Sequence, residues 1–197
     1  MLAVSLCACG ESGFIDFGTF FERFCELEKG SLSFSDVLYF EEEGEKEYVF
    51  SPSGEEAGEE RIAVRLFSNA EGKLCECRVI FPKLLENGSA AALSEDEKSG
   101  FLKTCENALS AFSGLSPEKS EAALSALELQ SEEAFSKSFE KTKKEKGIYL
   151  VALSNEAVTE LVIYNCFLHE IEETKKPESR PAFDKTTNIR TETVPHR

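Results

Sequence analysis

Histidine is scarce in this chain: His169 and His196 are the two among 197 residues. A zinc site wants four ligands, and a serine or cysteine nucleophile needs a positioned base. His169 is the one histidine in the expected folded body, and its flank, Phe167-Leu168-His169-Glu170, reads as a strand leaving the core. A structural role is expected for it. Long apolar runs are missing too. A bilayer-spanning helix takes about 20 apolar residues, and the stretch from Ala3 to Ala8 is far shorter. Phosphate-binding loops, dinucleotide glycine patterns, GxSxG and HExxH are absent. No catalytic residue, metal ligand or cofactor site is therefore assigned.

Positive charge is also in short supply. Lysine and arginine number 22 against 37 acids, a net charge of −15. A nucleic acid needs a basic footprint, so nucleic acid is excluded as a partner. The overall charge likewise works against electrostatic docking on anionic lipid, and its plainest role is solubility. The imbalance sits in the body, because from Glu172 onward Lys175, Lys176, Arg180, Lys185, Arg190 and Arg197 nearly match Glu172, Glu173, Glu178, Asp184 and Glu192.

What the chain does have is material for a core. Hydrophobic residues make up 41%, with 16 Phe and 4 Tyr, enough for one globular domain without staples. From Asp16, Phe17, Phe20, Phe21, Phe24 and Cys25 recur at helical spacing, with Gly30 as a stop. Four strands are expected next: Val37 to Phe40, Tyr48 to Phe50, a run through Ile62, Val64 and Leu66, and Leu74 to Phe81. The acidic turn Glu43-Gly44-Glu45 and the turn Asn69 to Gly72 punctuate them.

Ser94-Glu95-Asp96-Glu97 reads as a capping box opening a helix that presents Phe101, Leu102, Cys105, Ala108, Leu109 and Phe112 and ends at Gly114. Ser116-Pro117 caps and starts another helix, with Ala123, Leu124 and Leu127 facing inward. Residues 131–144 are ambiguous, with Phe135 and Phe139 suiting a short helix before a lysine-rich run. Ile148 to Leu153 and Val158 to Leu168 are strands. The second is apolar on both faces, as a central strand would be. The predicted fold is a single two-layer α+β domain over 16–172, in the order α-ββββ-αα-ββ. Its antiparallel sheet has about six strands with helices on one face, and a mobile tail follows over 173–197.

Five cysteines lie in the body: Cys25, Cys75, Cys77, Cys105 and Cys166. Five cannot all pair, and core packing as free thiols is expected. Cys75 and Cys77 should share one strand face with Val79 and Phe81, with Glu76 and Arg78 pointing away. The carboxylates Glu41, Glu42, Glu43, Glu45 and Glu47, then Glu55, Glu56, Glu59 and Glu60, lack calcium-loop spacing and read as solvated turns.

The remaining feature is the N-terminus. Leu6-Cys7-Ala8-Cys9-Gly10 places an aliphatic residue three before Cys9 and a small one just before it. This resembles the lipobox of bacterial lipoproteins. The resemblance implies that the Cys9 thiol carries diacylglycerol, that 1–8 is the remnant of a signal peptide and that 9–15 is a tether. It places the protein on the extracytoplasmic face of the cell membrane. Cys7 departs from the commoner Ala or Ser, and most of a signal peptide is missing, so the coding start is expected upstream of Met1. The alternative is a cytoplasmic protein with an apolar N-terminus by chance.

Three functions follow: a membrane-anchored module binding an unknown protein or small molecule, a housekeeping or assembly lipoprotein beside the membrane with no ligand of its own, and a hydrolase using carboxylates. Off the membrane, the alternative is a cytosolic chaperone-like protein. The element order is similar in layout to small interaction folds such as type III secretion chaperone-like and β-lactamase-inhibitor-like domains. That is likeness of layout alone.

Overall fold

A computed structural model of the chain describes residues 14–29, 37–52, 62–83, 94–135, 138–145 and 147–168. The expected signal remnant, Cys9, His169 and the tail over 173–197 lie outside them.

Helix α1 (Phe17–Glu28) begins where Asp16, in extended backbone, accepts a 2.8 Å hydrogen bond from the Thr19 amide. Its apolar stripe buries Phe17, Phe20, Phe21 and Phe24. Phe21 and Phe24 meet Phe50 edge-on with centroids 5.5 and 5.4 Å apart, while Phe17 stacks on Tyr48. The helix ends one residue before the expected Gly30: Lys29 takes the left-handed conformation and returns its amide to the Cys25 carbonyl. In α2 (Glu95–Ser113) the capping box forms as expected, with the Glu97 amide bonded to Ser94 Oγ and the Ser94 amide to Glu97 Oε2. Gly114, at φ 69, supplies the left-handed stop that a side chain would resist. Helix α3 (Pro117–Ala126) opens on Pro117. Ser116, expected to cap it with its side chain, does not; its hydroxyl meets the Glu118 carboxylate instead.

The strands are β1 (Leu38–Glu42), β2 (Glu45–Phe50), β3 (Ala63–Ser68), β4 (Leu74–Pro82), β5 (Phe139–Glu145), β6 (Ile148–Ser154) and β7 (Val158–Asn165). They form one antiparallel sheet in the order β1-β2-β3-β4-β7-β6-β5. The α+β class and the element order agree with the sequence reading, and the sheet has seven strands where about six were expected. The extra strand is β5. Its run Phe139-Glu140-Lys141-Thr142-Lys143-Lys144-Glu145 is polar because it forms an edge, and Phe139 is its buried anchor. A single turn of 3₁₀ helix, Glu132–Phe135, precedes it.

The main core lies between the three helices and one face of the sheet. Phe50, Val64, Leu66, Cys77, Val79, Phe81, Leu150, Ala152, Leu161 and Ile163 belong to it from the strands, with Phe101, Leu109, Leu124 and Leu127 from the helical layer. A smaller cluster of Val151, Val162 and Tyr164, with Tyr149 and Leu153 packed against it, occupies the opposite face. This accounts for the two apolar faces of β7.

One register detail corrects the cysteine reading. Ser68 pairs with Leu74 but Phe67 pairs with Glu76, so Cys75 is an extra residue, a bulge in β4. Cys77 joins Val79 and Phe81 in the core as expected; Cys75 is buried outside it, with its thiol donating to the Phe67 carbonyl at 3.2 Å. The bulge shifts Leu74 into phase with Cys77.

Candidate functional site

The residue singled out for modification, Cys9, lies outside the described residues with Leu6, Cys7 and Ala8. The described chain starts five residues later, at Phe14, inside the expected tether. There the backbone is already fixed: the Leu74 amide donates to the Ile15 carbonyl at 2.8 Å, and Asp16 bridges to Lys73. The described chain thus enters the fold at the end of the sheet formed by the turn between β3 and β4.

The face of the sheet away from the helices carries a charged constellation. Cross-strand pairing runs Phe40, Glu47, Phe67, Glu76, Tyr164 and Tyr149 in one row. The next row runs Leu38, Val49, Arg65, Arg78, Val162 and Val151. Glu47 pairs with Arg65 and Glu76 with Arg78, and both guanidinium carbons sit 5.6 Å from the Phe67 ring centroid. Glu47, Glu76, Arg78 and Glu160 are all buried.

Burial opposes the Arg78 charge, but the Glu76 and Glu160 carboxylates outweigh it and hold the pKa above the usual arginine value. Burial pushes the Glu160 carboxyl up, and the charge of Glu76 pushes it the same way, while Arg78 and Arg65 oppose them. Three carboxyls therefore share two guanidiniums, and Glu47 Oε2 has no hydrogen-bond partner. The polar phase of β4 was legible, since Glu76 and Arg78 were expected to face away from the core. The contributions of Glu47, Arg65 and Glu160 were not, because register across four strands brings them together.

A second buried polar group sits at the opposite end. Lys83 donates through Nζ to Ser154 Oγ and, at 2.9 Å, to the Asn155 carbonyl; Ser154 lies 3.0 Å from Thr159 Oγ1. Burial lowers the Lys83 pKa. A lysine on a serine hydroxyl is the chemistry of a Ser–Lys dyad. Here the ammonium closes the turn between β6 and β7, whose Ala157 and Val158 amides are taken by Asn155 Oδ1.

The other candidates disperse. Glu41, Glu42, Glu43 and Glu45 are exposed on the hairpin of β1 and β2, and Glu55, Glu56, Glu59 and Glu60 lie outside the described residues. Among the described residues no cluster of three His, Cys, Asp or Glu side chains could hold a metal ion. The five body cysteines are free thiols; Cys25 and Cys166 are only partly buried. Cys166 therefore departs from the expected core role: it follows β7 in a turn. No described helix is long and apolar enough to cross a membrane.

No protein family, curated protein or solved structure matches the chain.

Proposed function

We propose that this chain is a lipid-anchored interaction module: Cys9 carries the acyl group at the extracytoplasmic face, and the β5 edge of the sheet takes up an extended segment of a protein partner. The observation that carries the reading is the composition of that edge. In a chain of net charge −15, Lys141, Lys143 and Lys144 fall, with Glu140 and Glu145, within one seven-residue strand that ends the sheet, Lys141 also pairing with Glu128 at 3.1 Å. An edge strand presents backbone donors and acceptors to any strand that reaches it, and added strands are a common mode of peptide recognition. Lysines on an edge repel indiscriminate pairing. They also select, because an incoming segment bearing carboxylates cancels the repulsion that rejects the rest. At the other edge, β1 offers exposed Glu41 and Glu42 and would turn such a segment away.

Photo-crosslinking tests this. A photoreactive residue at Thr142, exposed on β5, should capture a discrete partner in intact cells. Charge reversal at Lys141, Lys143 and Lys144 together should abolish that product, whereas reversal at the helical Lys103 and Lys119 should spare it. Equal capture by both sets of variants would contradict β5 as the binding edge.

A further inference from the structure

Three large hydrophobic side chains stand exposed among the described residues, and two of them touch. Phe14 is 41% exposed and Phe167 60%, with ring centroids 6.1 Å apart; Leu38, the third, lies on the far edge strand. Single exposed hydrophobics are ordinary. This pair is built. The Lys73 ammonium sits 4.9 Å over the Phe14 ring. The Phe167 amide donates to Asn165 Oδ1 at 3.0 Å, and the Cys166 amide to the Gly147 carbonyl at 3.0 Å. The Phe167 ring then lies across Gly147, where a Cβ would come within 2.7 Å of its Cε2. Gly147 has φ 80, so both its turn and its ring contact require the missing side chain.

The position of the pair gives it a meaning. The turn between β3 and β4, the start of β6 and the end of β7 lie at one end of the sheet, the end at which the chain enters at Phe14. Five residue steps separate Phe14 from Cys9, a reach of about 17 Å when fully extended. The headgroup zone on each side of a bilayer is itself roughly 5–7 Å deep. An anchor at Cys9 would keep this corner near the membrane.

We propose that Phe14 and Phe167 form an interfacial contact that seats the domain on the bilayer; this rests on the Cys9 anchor proposed above. Aromatic rings suit that boundary, where they leave water at the level of the headgroups. The net charge of the chain opposes adsorption from solution. Once an anchor holds the chain, the leash and the exposed rings decide which corner faces the lipid. Glu43 and Glu45 stand at the same end of the sheet on the hairpin of β1 and β2, while at the corner itself Glu71 pairs with Lys73 at 2.7 Å, so the rings and not charge carry the contact.

The chain has no tryptophan, so one substitution makes a clean reporter. Phe167→Trp and Leu38→Trp variants of the full chain, expressed from its own locus and isolated from membranes, would be reconstituted in vesicles containing phosphatidylglycerol. Mass spectrometry of the same samples reads the state of Cys9. With Cys9 acylated, Phe167→Trp emission should shift to the blue and be quenched by lipids brominated in their acyl chains, while Leu38→Trp stays unshifted. Adding Phe14→Glu to Phe167→Trp should remove the quenching. An acylated chain in which neither reporter, or both equally, is quenched would overturn the contact and leave the anchor standing. An unmodified Cys9 would overturn the anchor, and the contact with it.

Discussion

Arg78 is the residue on which the helix-free face depends. It is buried, paired with Glu76, close to Glu160 in charge, and set over Phe67. Removing one partner of such a pair leaves an uncompensated charge, which typically costs about 3–5 kcal/mol. Arg78→Ala should therefore lower stability by an amount of that order in denaturant unfolding. The double variant Glu76→Leu/Arg78→Met should recover much of the loss, since it removes both charges and keeps the volume. Glu160 offers the complementary test. Its carboxyl is raised mainly by burial, so the folded state binds this proton more tightly than the unfolded chain does. Its favourable contribution is present below the unfolded pKa and is lost as pH rises through the folded one. Glu160→Gln has no such proton to lose. The stability of the variant relative to the parent chain should climb as pH rises above the ordinary glutamate range, and thermal unfolding at a series of pH values checks the sign. A difference independent of pH would show that Glu160 is not the titrating group. Thiol accessibility tests the core from another side. Cys77 and Cys105 are fully buried with their thiols pushed well up by desolvation, so in native protein Cys25 and Cys166 should be the first to react.

At the scale of elements, the helices carry their instructions locally and the sheet does not. Helix α2 was legible from Ser94 to Gly114, because its capping box, its inward stripe and its left-handed stop are all written within the segment itself. Phe112→Ala should cost about 3–5 kcal/mol, as Phe112 is buried and meets Phe20 edge-on. Lys103→Ala should change stability by less than about 0.5 kcal/mol, since its 3.1 Å pair with Glu106 is exposed. Urea titration of the two variants checks the pair, and equal sensitivity would mean the face is misassigned. Strand β5 was not legible for a physical reason: an edge strand whose side chains largely face water loses the alternation that marks a half-buried one. The bulge at Cys75 hid likewise, because a single inserted residue declares itself only against the partner strand. The same limit applies to the candidate sites. The spacing around Cys9 is a local pattern and could be read directly. The ion-pair face and the Phe14–Phe167 contact join residues far apart in sequence, and only the strand order brings them together.

The whole molecule reads as a sheet with a division of labour. Helices α1, α2 and α3 cover one face, buried ion pairs occupy the other, and the edges are β1, with two exposed glutamates, and β5, with three lysines and two glutamates. On the proposed reading, the entry point of the chain decides the orientation of everything else. A short leash from Cys9 places the corner of Phe14 and Phe167 towards the bilayer and leaves β5 standing out from it, where a partner can reach. The account therefore rests first on the anchor, and the most direct test is mass spectrometry of the N-terminal peptide from protein expressed at its own locus and recovered from a salt-washed membrane fraction. The expected result is a mature chain beginning at an acylated Cys9, abolished by Cys9→Ser and retained in Cys7→Ser. An intact Met1 on a soluble form, or an unmodified Cys9 in the membrane fraction, would contradict it.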